Sequence, residues 1–396
     1  MKARWSILCF AFCLLLLWLI PVPRYDVSTS NPNQSTRRNE NVTPYTPNEF
    51  VKGIWIASAW NIDFPSRSGM TATELQTEID IMADTCAAWG VTDIFLQVRP
   101  FGDALYPSSI FPWSATVSGT EGVAPDAKFD PLQSWVKAAH ARGMRLHAWI
   151  NPYRLSTPSG ISLFALQHLD LVVIHNGSLY LDPGNPASQN IILAGIAEIL
   201  ENYNVDGIHF DDYFYPSTHF NDSLIFARYG QSTEHAAWRK ENVNALLRHS
   251  QAIAHYHGAR FGVSPIGIWA NADHHPNGSD TGGRQSLFAQ YADTLTWIER
   301  GYVDYIAPQI YWERGHDLAC FDILLPWWRD ALQNSDVRLY IGLAAYKQTD
   351  EAFAEVWAAN DELSAQRAII NSMDDVHGVI YFSYRDMVAL MGGKND

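Results

Sequence analysis

From Val51 onward the chain alternates short, nearly continuous apolar runs with longer stretches in which apolar residues recur at helical spacing. The runs at 53–58, 93–98, 145–150, 206–211, 261–265, 305–310, 339–343 and 379–382 are eight strand candidates. Between them, 73–89, 131–142, 187–203, 233–257, 286–300, 321–333 and 361–374 have the pattern of amphipathic helices, and an eighth helix is reduced to a short tail after Arg385. Apolar strands separated by helices imply a parallel sheet. Eight such units in succession imply closure into a (β/α)8 TIM barrel, a single catalytic domain over residues 49–396.

Two segments precede that rhythm. Lys2 and Arg4 flank an uncharged apolar run from Trp5 to Ile20, the pattern of an export signal or signal anchor over residues 1–23. The residues before Cys9 (Ser6, Ile7, Leu8) and before Cys13 (Phe10, Ala11, Phe12) end in bulky side chains, which argues against a lipid anchor. Residues 24–48 are polar and Pro-punctuated and read as a flexible linker. The expectation is an exported protein of the cell envelope or periplasm, touching the membrane only through its N-terminal segment.

Composition narrows the function. A formal net charge of −15 disfavours nucleic acid and anionic lipid as partners. The 15 Trp and 18 Tyr are a high count that suits either a large core or a cleft in which flat rings stack on sugars. The four cysteines form no CxxC pair, so neither a structural metal nor a cofactor is expected, and Cys86 and Cys320 read as buried free thiols.

Barrel active sites form at the C-terminal ends of the strands, and here those ends are rich in chemistry. Trp60 and Asp63 follow the first strand. Gln97 and Arg99 close the second, and Asn151, Tyr153 and Arg154 follow the third. Trp269 follows the fifth, and Gln309, Tyr311 and Trp312 close the sixth. The fourth strand runs into Asp211, Asp212 and Tyr213. Strand alternation turns Ile208 and Phe210 toward the helices and Gly207, His209 and Asp211 into the barrel, leaving Asp206 as a structural residue at the far end. Asp211 is therefore the first candidate for the carboxyl that a glycosidase needs. Asp212 and Asp182 are the candidate partners, with Asp280 and Glu313 behind them. His147, His209 and the rim residues named above, with Tyr213, are candidate substrate contacts. Three schemes stay open: two carboxylates flanking the bond, a substrate acetamido group acting as nucleophile, and a metal-dependent hydrolase or deacetylase using His147 and His209. A non-catalytic glycan-binding barrel is the rival from another class.

The motifs in order resemble one family. They are Gly53-Ile54-Trp55, Asn61-Ile62-Asp63-Phe64-Pro65, the run 95–100, the run 147–154, Leu181-Asp182-Pro183-Gly184, the run 206–215, Gly262-Val263-Ser264-Pro265, the run 304–312 and Leu339-Tyr340-Ile341-Gly342. Residues 52–385 are thereby similar to glycosyl hydrolase-like family 10, in particular to its DigH-type peptidoglycan glycosidases. That resemblance implies a TIM-barrel glycosidase acting on a polysaccharide, the glycan strands of peptidoglycan stripped of their stem peptides. The segment 206–211 is also similar to the fourth strand of α-amylases, whose last Asp is the nucleophile.

Overall fold

The computed structural model describes residues 49–125, 129–158, 160–230 and 233–392. The export segment and linker expected over residues 1–48 lie outside the described residues. Among the described residues there are ten strands: β1 (Val51–Ile56), β2 (Asp93–Arg99), β3 (Arg145–Ile150), β4 (Val172–His175), β5 (Ser178–Leu181), β6 (Gly207–Phe210), β7 (Arg260–Val263), β8 (Tyr305–Ile306), β9 (Arg338–Ala344) and β10 (Gly378–Phe382). Eight of them close a parallel barrel in the order β1-β10-β9-β8-β7-β6-β3-β2, while β4 and β5 form an antiparallel hairpin between the third and fourth barrel strands. The expected barrel architecture is the observed one.

Helices follow the barrel strands, and their starts are written locally. Thr71 and Glu74 form a reciprocal capping box ahead of Ala72–Ala88. Asp130 and Asn185 cap Pro131–His140 and Pro186–Asn202, each with proline in the first turn, where a missing N–H is harmless. Ile208 and Phe210 pack into the large core between sheet and helices, whereas Trp55, Phe95, Trp149, Tyr305, Tyr340 and Ile380 fill the barrel interior.

Three elements depart from the pattern. The helix expected over 286–300 is two short ones, Ser286–Ala289 and Thr294–Glu299. Between them Tyr291 adopts a left-handed φ of 57° and its hydroxyl accepts a hydrogen bond from buried Arg239 at 2.8 Å, so a tertiary partner outweighs helical continuity. β8 ends at Ile306 because Pro308 supplies no N–H, and Gln309 instead makes single bridges to Ile266 and Gly342. In β2 the register slips between Gln97 and Arg99.

The interior carries a polar file beneath its C-terminal mouth. The Trp55 indole N–H donates to His209 Nε2 at 3.2 Å. His209 Nδ1 then bonds Tyr305 Oη at 3.1 Å, and Tyr305 Oη bonds His147 Nδ1 at 3.2 Å. His147 Nε2 reaches Asp93 at 3.0 Å, and Arg145 joins Asp93 to Glu49. Because Trp55 can only donate, neutral His209 carries its proton on Nδ1, and every remaining donor then points one way, toward Asp93. Burial holds His209 well below its ordinary pKa, keeping it neutral. Burial pushes Asp93 up, but the bonds from His147 and Arg145 outweigh it and hold the carboxyl below its usual range.

Candidate active site

A cleft of about 420 Å³ opens at the C-terminal mouth of the barrel, within the size range of small-ligand sites. Asp211 sits one residue past β6 and Asp212 follows it, and both line this cleft. Asp211 is 3% exposed. The Trp149 indole N–H donates to its Oδ2 at 3.2 Å, and the Tyr213 backbone N–H donates to its Oδ1 at 3.2 Å. Burial, with the Asp212 charge beside it, pushes Asp211 up to about 7, against the pull of Arg154. Asp212 is raised as well, chiefly by burial, and the Gln309 side-chain amide counters by donating to its Oδ1 at 3.1 Å. The two carboxyls are adjacent, so the charge on one opposes ionisation of the other.

The walls are aromatic. Trp60 and Asn61 both hold left-handed φ angles of 53°, a conformation that costs energy for non-glycine residues and persists only where neighbours fix it. Gln97 Oε1 accepts the Ser58 and Ala59 N–H groups, Asp63 Oδ2 accepts the Ala57 N–H, and Asn61 Nδ2 donates to the Pro65 and Thr116 carbonyls. The result is a Trp60 indole 60% exposed at the rim, with Tyr213 43% exposed across from it. Tyr311, Tyr346 and Phe382 complete the wall.

Of the residues singled out from the sequence, Asp211, Asp212, Gln97, Arg154, Tyr213, Gln309, Tyr311 and Trp60 meet in the cleft. The others lie elsewhere, for physical reasons. Asp182 is buried in the turn before helix Pro186–Asn202, where its Oδ1 accepts the Gly184 N–H at 2.9 Å, and burial lifts it to about 6. Arg99 is turned by the β2 slip toward the helices, its guanidinium 3.6 Å from the Phe111 ring centroid. Asp63 is spent on the seam of the barrel, accepting from Ser383 Oγ and the Arg385 N–H. His147 and His209 belong to the interior file below the cleft. Asn151 accepts from Gln97 Nε2 at 2.8 Å and so positions a cleft residue without lining the cleft. Tyr153 is core, Trp269 stacks on Trp327, and Trp312 packs against the main core. Asp280 is exposed away from the cleft, and Glu313 accepts from the Trp357 indole. Cys86 and Cys320 are free and buried. Among the described residues, no three His, Cys, Asp or Glu side chains converge as metal ligands would.

The structure adds residues that the sequence reading passed over. Trp149 reaches Asp211 from the inner face of β3. Asp350, just past the short helix Ala345–Thr349 after β9, and Arg385 and Asp386, in the first turn of the helix Tyr384–Gly392 after β10, line the wall opposite Asp211. Their signal was available: they follow barrel strands at the C-terminal face, as every working residue of this fold does.

A closed parallel barrel with paired carboxyls and aromatic walls at its C-terminal mouth defines the class of a barrel glycosidase. Residues 50–359 match the family Glycosyl hydrolase-like 10. Glycosyl hydrolase YngK of Bacillus subtilis is 37% identical over 353 residues, spanning 85% of this chain and 68% of that protein. Glycosyl hydrolase DigH of Escherichia coli is 37% identical over 364 residues, spanning 84% of this chain and 82% of that protein. The glycoside hydrolase domain of PgaB (BpsB) from Bordetella bronchiseptica shares the fold, with a TM-score of 0.55 at 10% identity over 88% of this chain and 98% of that domain. The chain belongs to the glycosyl hydrolase-like 10 family and is a glycosidase.

Proposed function

We propose that this protein hydrolyses the glycan strands of bacterial peptidoglycan after their stem peptides have been removed, with Asp211 as proton donor and Asp212 as an orienting carboxylate. The observation that carries the reading is the Asp211–Asp212 pair, two adjacent carboxyls at one strand end that both line the cleft and are both lifted by burial. A conventional pair flanks the scissile bond from opposite sides, whereas consecutive residues at one strand end serve one side. The missing nucleophile is then the substrate's own acetamido oxygen. Asp211 protonates the glycosidic oxygen as that bond breaks, and the acetamido oxygen attacks the anomeric carbon. Asp212, oriented by the Gln309 amide that donates to its Oδ1, accepts the acetamido N–H. Water, losing its proton to Asp211, reopens the ring and releases the reducing sugar.

A second reading rests on Asp350 and Asp386, which line the opposite wall; either would supply the second carboxyl of a two-carboxylate scheme. Mass spectrometry of digests separates the two. Amidase-stripped glycan strands and the same strands chemically N-deacetylated are incubated with the protein. Cleavage of only the acetylated strands supports the acetamido route, and cleavage of both supports Asp350 or Asp386. Failure to cleave both strands sinks the substrate assignment.

The proposal places the enzyme outside the cytoplasm, supported by the basic-then-apolar pattern of residues 1–23 and the polar stretch behind it. A reporter active only in the cytoplasm, fused after residue 48, is expected to stay inactive; activity there contradicts export. No helix among the described residues is long and apolar enough to cross a membrane.

A further inference from the structure

Arg154 lines the cleft beside the aspartate pair, yet it is bound to neither carboxyl. Asp211 takes its hydrogen bonds from Trp149 and Tyr213, and Asp212 takes its bond from Gln309. Among the described residues no acid lies within ion-pair distance of the Arg154 guanidinium. Its Nε is buried with no hydrogen-bond partner, and its bond from Nη2 to the Pro100 carbonyl is 3.5 Å long. What holds it is aromatic. The guanidinium carbon lies 4.3 Å from the Tyr213 ring centroid, 5.0 Å from that of Phe101 and 5.6 Å from that of Trp60. Rings hold a guanidinium by its face, and beyond the contacts to the Pro100 carbonyl and the Tyr213 hydroxyl its N–H groups are left for a ligand. A fork fixed this way meets a planar oxyanion with both prongs and little further ordering.

We propose that Arg154 is the specificity residue of this cleft and binds a free carboxylate carried by the substrate sugar. The inference rests on the peptidoglycan reading above and sharpens it. A lactyl group is a carboxylate once the stem peptide is gone and a neutral amide while the peptide is attached. Arg154 thus discriminates by charge between stripped and peptide-bearing strands at the point of cleavage. There is also an electrostatic consequence at the reacting group. Arg154 draws Asp211 toward ionisation. A carboxylate seated on Arg154 cancels that pull, so the acidic sugar keeps the proton donor loaded.

The test measures binding without turnover. The full chain carrying Asp211→Asn is titrated calorimetrically with two ligands, an N-acetylglucosamine–N-acetylmuramic acid disaccharide with a free lactyl carboxylate and its lactyl methylamide. With Arg154 present, the acid is expected to bind about ten- to a hundredfold tighter than the amide, as a charge-assisted hydrogen bond requires. Arg154→Gln brings the ratio close to one. Arg154→Lys, which keeps the charge but loses the fork, retains part of it and serves if the glutamine variant does not fold. Equal binding of acid and amide with Arg154 present, binding of neither, or an unchanged ratio in both variants overturns the proposal. Failure of the wild-type protein to cleave stripped strands would instead count against the substrate assignment, since this ratio does not depend on cleavage.

Discussion

Asp211 is placed where its chemistry works against the stability of the fold, and that conflict can be measured. Lifting the carboxyl from 3.8 to about 7 means that the folded protein holds this proton more tightly than the unfolded chain does. The stabilising contribution is fully present below the unfolded value and is lost as pH rises through about 7. At about 1.4 kcal/mol per tenfold change in proton affinity, ionising Asp211 in place costs about 4 kcal/mol, shared with Asp212. Asp211→Asn removes that penalty at nearly constant volume. It also leaves the Trp149 or Tyr213 donor facing an amide N–H₂, a loss of about 1 kcal/mol that does not vary with pH. The assay is thermal unfolding of wild type and variant from pH 5 to pH 8.5. At pH 5 the part of the penalty already present roughly offsets the lost hydrogen bond, and the variant is expected to melt close to the wild type. At pH 8.5 it is expected to melt higher by about 5–10 °C, the scale of several kcal/mol in a domain of this size. A melting difference that stays constant across the range, or a wild type that gains on the variant as pH rises, would refute the reasoning.

Other expectations follow from the same geometry. Asp206 accepts from His140 Nε2 and from the Leu146 N–H at the far end of β6, so Asp206→Asn should lower stability by about 1–3 kcal/mol in a denaturant titration while kcat on glycan stays near the wild-type value. Asp93→Asn leaves Arg145 and His147 buried without their shared carboxylate; a loss of about 3–5 kcal/mol is expected by the same titration, and a loss below 1 kcal/mol would contradict the role of the interior file. Trp60→Ala removes an exposed ring, so the melting temperature should hold, while KM for glycan rises severalfold, by the value of one stacking contact of about 1 kcal/mol; an unchanged KM would remove Trp60 from the sugar-contacting wall.

Much of this fold was legible because barrel strands are buried on both faces and announce themselves as apolar runs, and because strand alternation is strict enough to aim Asp211 inward from sequence alone. The errors share a cause: the pattern describes local geometry, whereas the site depends on where the pattern breaks. A one-residue slip in β2 sends Arg99 outward and leaves Gln97 at the cleft. Tyr291 breaks a helix to meet Arg239. Asp182 has the composition of a catalytic loop and the geometry of a turn. Trp269 and Trp312 follow barrel strands but fold back into packing, a choice that side-chain identity does not reveal. Asp386 was missed because the chain after Arg385 read as a short tail, and Asp350 because it lies several residues past the end of β9, although both follow barrel strands at the C-terminal face.

The central claim is that Asp211 delivers the proton that breaks a glycosidic bond. Its most direct test is the rate of new reducing ends formed from amidase-stripped glycan strands by wild type, Asp211→Asn and Asp212→Asn under single-turnover conditions. The account predicts a single phase of release by the wild type and a rate lower by at least about a hundredfold for Asp211→Asn, as removal of a general acid requires, with the bound fraction of glycan unchanged. Asp211→Asn releasing reducing ends at a rate near the wild type, while Asp212→Asn does not, would move the proton donor to Asp212 and contradict the assignment.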